Sequence, residues 1–176
     1  VVIDKAAIKN NPASIVAAKI KTVPCVIQFR DKGSNKKEIL RETLKLKKIL
    51  SKTKTIFIIN DYLDIAKIAC CDGIHLGQDD ASIEAAREVL GKNKIIGISC
   101  HSIKQAKEAE RKGADYIGIG PIFATPTKPE YKAIGLGILE KIKKEIKIPA
   151  FAIGGINKNN IKQIIAKGIS RAAMVR

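Results

Sequence analysis

The chain has no tryptophan and a single methionine, and aromatic residues make up only 4% of it. No apolar run approaches the roughly 20 residues of a membrane-spanning helix. Nothing in the sequence has the pattern of a signal peptide. The four cysteines, Cys25, Cys70, Cys71 and Cys100, lack both metal-ligand spacing and the density of a small secreted scaffold. They read as reduced thiols, which predicts a cytoplasmic protein. Cys70 and Cys71 are adjacent and so are poor disulfide partners for each other. Acidic residues are also scarce: 17 against 33 Lys and Arg, for a net charge of +16. Such a balance raises nucleic-acid binding as a possibility. The lysines, however, are spread over helix surfaces, as in Lys45, Lys47 and Lys48 or Lys104, Lys107 and Lys112. No basic stripe carries the interleaved aromatics that stack on bases. The expected partners are therefore small molecules, with neither nucleic acid nor membrane involved; the oligomeric state is not legible.

What the chain does have is aliphatic content, in an overall hydrophobic fraction of 45% across 176 residues. That suits buried parallel strands wrapped by helices. Strand-like runs fall at 1–4, 23–31, 55–60, 73–76, 94–99, 116–119, 150–153 and 171–175. Helix-like stretches alternate with them. One runs from Ser82 to Leu90 with Gly91 as its stop, another from Ser102 to Lys112 ending at Gly113, and a third from Asn157 to Lys167 ending at Gly168. Ile39, Leu46, Ile49 and Leu50 give a longer helix its buried side. This alternation predicts an α/β fold, a (β/α)8 TIM barrel lacking its last helix, with a doubly wound open sheet as competitor. The chain opens on Val1 and stops at Arg176 after a strand-like run. The expectation is one barrel domain over 1–176, truncated at its C-terminus.

The most informative segment is Val26-Ile27-Gln28-Phe29-Arg30-Asp31-Lys32. Side chains alternate along a strand, so Gln28, Arg30 and Lys32 face one way and Ile27 and Phe29 the other. A strand buried on both faces should be almost wholly apolar. A guanidinium, an ammonium and an amide in one row suit a phosphate-bearing ligand. The alternative is a strand end whose basic residues are simply solvated.

Further polar residues gather at the ends of other strands, where barrel enzymes build their sites. Asp61 and Asp80 follow consecutive strands. They read either as ligands of a shared divalent cation, with Mg²⁺ favoured by oxygen donors and a phosphate substrate, or as helix N-caps. Asp79 points the other way and is the weaker candidate. Gly118-Ile119-Gly120-Pro121 opens a long loop in which Thr125, Thr127 and Lys128 supply hydroxyls and a cation. Gly154 and Gly155 follow the seventh strand, where freed amides can cradle a phosphate together with Val175 and Arg176. His75 lies inside a strand and reads as structural. His101 shares the parity of Ser99. No serine or cysteine stands in a nucleophilic triad.

Taken in order, several motifs resemble the thiamine-phosphate synthase family along nearly the whole chain. They are Gln28-Phe29-Arg30-Asp31-Lys32, Ile59-Asn60-Asp61, the run from Asp72 to Asp80, Gly97-Ile98-Ser99 with Cys100-His101, the run from Gly118 to Lys128, and Ala152-Ile153-Gly154-Gly155-Ile156. The resemblance implies a barrel transferase that joins a hydroxymethylpyrimidine diphosphate to a thiazole ethyl phosphate, releasing diphosphate. It implies that diphosphate leaves first and that the thiazole nitrogen traps a pyrimidine-methyl cation. It further implies that Arg30, Lys32, Asn60 and Lys128 hold the diphosphate, and that Asp61 and Asp80 bind Mg²⁺. Gln28 and Ser99 would contact the pyrimidine, with Arg30, Lys32, Ser99 and Lys128 as the catalytic set. Thr125, Thr127, Gly155, Val175 and Arg176 would receive the thiazole phosphate. The family usually has serine where Arg176 stands, and it continues into an eighth helix. The rival readings are a thiazole tautomerase, which needs no diphosphate clamp or metal, and an inactive fragment.

Overall fold

A computed structural model describes residues 1–8, 26–125 and 131–175. Eight strands form one sheet in sequence order: β1 (Val2–Asp4), β2 (Val26–Arg30), β3 (Ile56–Asn60), β4 (Gly73–Leu76), β5 (Ile95–Cys100), β6 (Tyr116–Ile119), β7 (Ala150–Ile153) and β8 (Ala172–Ala173). The pairs β1–β2, β2–β3, β3–β4, β5–β6, β6–β7 and β7–β8 are all parallel. Beyond β8, Val175 bridges to Val2 in β1. Six α-helices lie between strands among the described residues: α1 (Lys36–Leu50), α2 (Leu63–Ile68), α3 (Ile83–Leu90), α4 (Ile103–Arg111), α5 (Gly137–Glu145) and α6 (Ile161–Ala166). This is the expected (β/α)8 topology. None of these helices is long and apolar enough to cross a membrane.

The chain divides into two compact units. In the first, Phe57, Ile58 and Ile59 of β3 are all buried, as a strand covered on both faces requires. Helix α1 packs on β3 and on α2. It starts at Asn35, whose side chain accepts the Glu38 N–H, and it carries Lys47 and Lys48 in its last turn. Ile39, Thr43, Leu46 and Leu50 form its buried stripe. Thr43 joins that stripe without cost because its hydroxyl donates to the Ile39 carbonyl at 2.7 Å.

The second unit buries Ile96, Ile98, Ile117, Ile119, Leu139, Ile142, Ala152 and Ile164. Helix α4 packs on β6 and α5. Its N-cap is Ser102, as the sequence suggests, and the following glycine, Gly113, takes φ +87°. Two expected boundaries move inward. The helix expected from Asn157 begins at Ile161, because the Asn157 and Asn160 side chains are occupied in a turn. The strand expected over 171–175 is regular only at Ala172–Ala173.

A local device recurs at the start of β4 and of β6. Asp72 accepts the Phe57 N–H at 2.8 Å while its own N–H donates to the Phe57 carbonyl at 3.0 Å. Asp115 does the same with Ile96, at 2.7 Å and 2.8 Å. Each aspartate thereby pins the register of a strand to its predecessor.

Candidate active site

In the first unit, β2 has the alternation read from the sequence. Ile27 and Phe29 are buried, while Gln28 and Arg30 are half-buried on the opposite face. Arg30 forms an ion pair with Asp4, its register partner on β1, whose side chain is only 2% exposed. The other Asp4 oxygen accepts the Ala6 N–H at 3.0 Å. Asp4 is not among the residues expected at the site, and its one signal in the sequence is a carboxylate closing the apolar run Val1-Val2-Ile3.

Asp31 has the opposite parity from Arg30 and turns inward. Its Oδ1 accepts the N–H groups of Gly33 at 3.0 Å and Ser34 at 3.1 Å, and its Oδ2 lies 3.1 Å from Lys5 Nζ. Burial pushes this carboxyl up, but the bonds from Ser34, Lys5 and Gly33 outweigh burial and hold it below its ordinary value.

Lys32 is exposed and lies 3.0 Å from the Asp61 carboxylate. Asp61 follows β3, where Asn60 is buried and paired in register with His75. Asp61 has φ +66°, and its N–H donates to the His75 carbonyl at 2.9 Å. A non-glycine residue in the left-handed region carries strain of order 1 kcal/mol, which tends to be kept where a side chain is needed. The N-cap alternative for Asp61 is excluded, because Tyr62 stands at the N-cap of α2 and makes no side-chain cap. His75 is buried in β4 as expected. Val175 contributes its bridge to Val2.

In the second unit, Asp80 is exposed and its carboxylate turns back to the Gly77 N–H at 2.6 Å. Asp80 therefore does not cap α3, which starts at Ile83. The Gln78 side chain donates to the Ser99 carbonyl at 2.6 Å and fixes the end of β5. Among the described residues, no group of three or more His, Cys, Asp or Glu is placed to hold a metal ion. The Asp61 carboxylate in the first unit and the Asp80 carboxylate in the second are each hard oxygen donors, of the kind Mg²⁺ takes when it binds one or two protein carboxylates beside water and phosphate.

The loop after β6 and the glycine turn after β7 are brought together. Ile122 N–H donates to the Ile153 carbonyl at 2.8 Å, and Phe123 N–H to the Gly154 carbonyl at 3.1 Å. Gly155 has φ +64°, and a Cβ there would lie 2.5 Å from the Ala124 carbonyl oxygen and 2.7 Å from Phe123 Cβ. Asn160 donates to the Gly155 carbonyl at 2.9 Å. Thr125, half-buried, follows directly. Thr127, Lys128 and Arg176 lie outside the described residues. The thiols of Cys71 and Cys100 are buried, and burial pushes each up to about 12. Neither is a nucleophile at neutral pH.

Residues 1–176 match the family described as thiamine monophosphate synthase. The chain belongs to this family. It is 44% identical over 151 residues to the thiamine-phosphate synthase of Halalkalibacterium halodurans, an alignment covering 85% of the chain and 72% of that relative. It is 42% identical over 168 residues to that of Methanosarcina mazei, covering 95% and 70% respectively. Among solved structures it superposes on thiamine phosphate pyrophosphorylase from Pyrococcus furiosus with TM-score 0.89 and 35% identity, covering 99% of this chain and 83% of that one.

Proposed function

We propose that the chain is an enzyme that joins a hydroxymethylpyrimidine diphosphate to a thiazole ethyl phosphate, giving thiamine phosphate and diphosphate. The whole-chain family match carries this reading. The polar row on β2 supports it, because a tautomerase would have no use for a guanidinium and an ammonium at a diphosphate. In the reaction the bond from the pyrimidine methylene carbon to the diphosphate oxygen breaks, and the electron pair leaves with diphosphate. The thiazole nitrogen then donates its lone pair to that carbon. Negative charge builds on the departing oxygens, so preplaced cations lower the barrier more than they stabilise the bound substrate.

In this reading Arg30, Lys32, Asn60 and Lys128 bind the diphosphate, and Gln28 and Ser99 orient the pyrimidine. Thr125, Thr127, Gly155, Val175 and Arg176 receive the thiazole phosphate. Asp61 and Asp80 are the residues that would hold Mg²⁺, whose chemistry is to neutralise charge on the diphosphate oxygens. Buried free thiols at Cys71 and Cys100 accord with a reducing, cytoplasmic setting.

The test supplies the two phosphorylated halves together and singly, with Mg²⁺ and after exhaustive chelation. Thiamine phosphate and diphosphate are expected in equal amounts, only with both substrates and only with the metal. Product after chelation would remove the metal assignment. Isomerisation of a thiazole carboxylate without any condensation would replace the reading by the tautomerase.

A further inference from the structure

We propose that His101 is a positioning residue: it holds both ends of the loop after β6 and so sets Thr125 for the phosphate of the thiazole substrate. This rests on the role given to Thr125 above. His101 directly follows Cys100, the last residue of β5. Its Nδ1 lies 2.6 Å from the Gly120 carbonyl oxygen. A carbonyl only accepts, so Nδ1 carries the proton and donates. Gly120 N–H donates in turn to the Cys100 carbonyl at 3.1 Å. Two consecutive residues of one strand end thus tie down both polar groups of Gly120, where the loop begins.

The same imidazole stacks on Tyr131, where the loop returns, with ring centroids 4.6 Å apart and planes at 23°. One side chain therefore grips the residues on either side of 121–130. The main chain at His101 is itself held in place. The His101 N–H donates to Gln105 Oε1 at 2.7 Å, and Gln105 N–H donates to the Ser102 hydroxyl at 3.2 Å, in the first turn of α4. The stem of the loop has main-chain bonds of its own, from Ile134 to Pro121 at 2.8 Å and from Gly135 to Ile122 at 3.2 Å. Loss of the imidazole should thus shift the loop without unfolding the protein.

The test separates ring from donor. His101→Phe keeps a ring that can stack and removes the donor; Tyr131→Leu keeps the donor and removes the stack. His101→Phe should raise KM for the thiazole phosphate roughly tenfold, the equivalent of one hydrogen bond, with kcat nearly unchanged. Tyr131→Leu should raise it a few-fold. Thr125→Val should cost much less in the His101→Phe background than in the wild type, because the hydroxyl is already displaced. Without any substrate, amide hydrogen exchange at Phe123 and Thr125 should be faster in His101→Phe, and unchanged in α4. A role confined to stability would lower the melting temperature and leave KM and the Thr125 coupling as they were. Unchanged exchange at Phe123 and Thr125 would overturn the inference whether or not the protein forms thiamine phosphate. Absence of product from the wild type would instead overturn the functional reading, leaving exchange to decide on His101.

Discussion

Arg30 and Asp4 face each other in register across β1 and β2, and the guanidinium is ion-paired to a carboxylate that is almost wholly buried. The cation proposed to bind the diphosphate is thus held by a fixed anion. Asp4→Ala should destabilise the fold by about 3 kcal/mol, because it leaves the half-buried Arg30 without its partner. It should also weaken pyrimidine diphosphate binding, since the guanidinium loses its orientation. Asp4→Asn, which keeps an acceptor for the Ala6 N–H, should lie between wild type and Asp4→Ala. Chemical denaturation and calorimetric titration measure both effects; equal binding in all three proteins would make Asp4 purely structural.

Asp61 separates stability from function. Its φ of +66° suits glycine better than any residue with a Cβ. Asp61→Gly should be more stable than Asp61→Ala by about 1 kcal/mol. Both should lose condensation by orders of magnitude, because the carboxylate proposed to hold Mg²⁺ is gone. Melting temperatures and rates measured on the same samples decide this; an active Asp61→Gly protein would free Asp61 of its assigned role.

Gly155 lies where the glycine turn meets the β6 loop. A side chain there would strike Phe123 and Ala124 and take up an unfavourable φ. Gly155→Val should therefore weaken thiazole phosphate binding far more than pyrimidine diphosphate binding, by calorimetry on folded protein. Gly91→Ala is the control. It has φ +85° but nothing within 4 Å of the added Cβ, so it should cost about 1 kcal/mol of stability and leave both affinities alone. Equal losses of both ligands in Gly155→Val would move the phosphate site elsewhere.

Asp31 makes stability depend on acid. Its carboxyl is held below its ordinary value of 3.8 by Ser34, Lys5 and Gly33, against the upward push of burial. A depressed folded value means that the stabilisation is complete above that ordinary value and fades as pH falls through the folded one. Wild type should exceed Asp31→Asn in urea midpoint at neutral pH, and the gap should close as pH falls below the ordinary value of 3.8. A gap independent of pH would show that the carboxylate charge contributes nothing.

Much of this was legible in the sequence because it followed from period and punctuation. The alternation of β2, the capping serine of α4 and the glycine stops at Gly91, Gly113 and Gly168 are local signals, and they stand where local physics puts them. The pairing of Asp4 with Arg30, and the grip of His101 on Gly120 and Tyr131, were not legible. Each joins residues far apart in sequence whose proximity is set only by strand register or by the return of a loop. The two strand-end aspartates were ambiguous because Asp is equally apt as cap and as ligand. Only the backbone at Asp61 and the turn of the exposed Asp80 carboxylate back to Gly77 removed the capping alternative. The start of α6 was misplaced because Asn157 has the chemistry of an N-cap but spends it on a turn.

The most direct test of the account is a rapid-quench single turnover with both phosphorylated substrates and Mg²⁺, comparing wild type with Lys32→Ala. Lys32 is exposed and its pair with Asp61 lies near the surface, so the variant should melt within a few degrees of wild type. Wild type should release one diphosphate for each thiamine phosphate formed, and Lys32→Ala should slow both together by roughly a hundredfold or more. A wild-type protein that forms no thiamine phosphate, or a Lys32→Ala variant that releases diphosphate at the normal rate, would contradict the account.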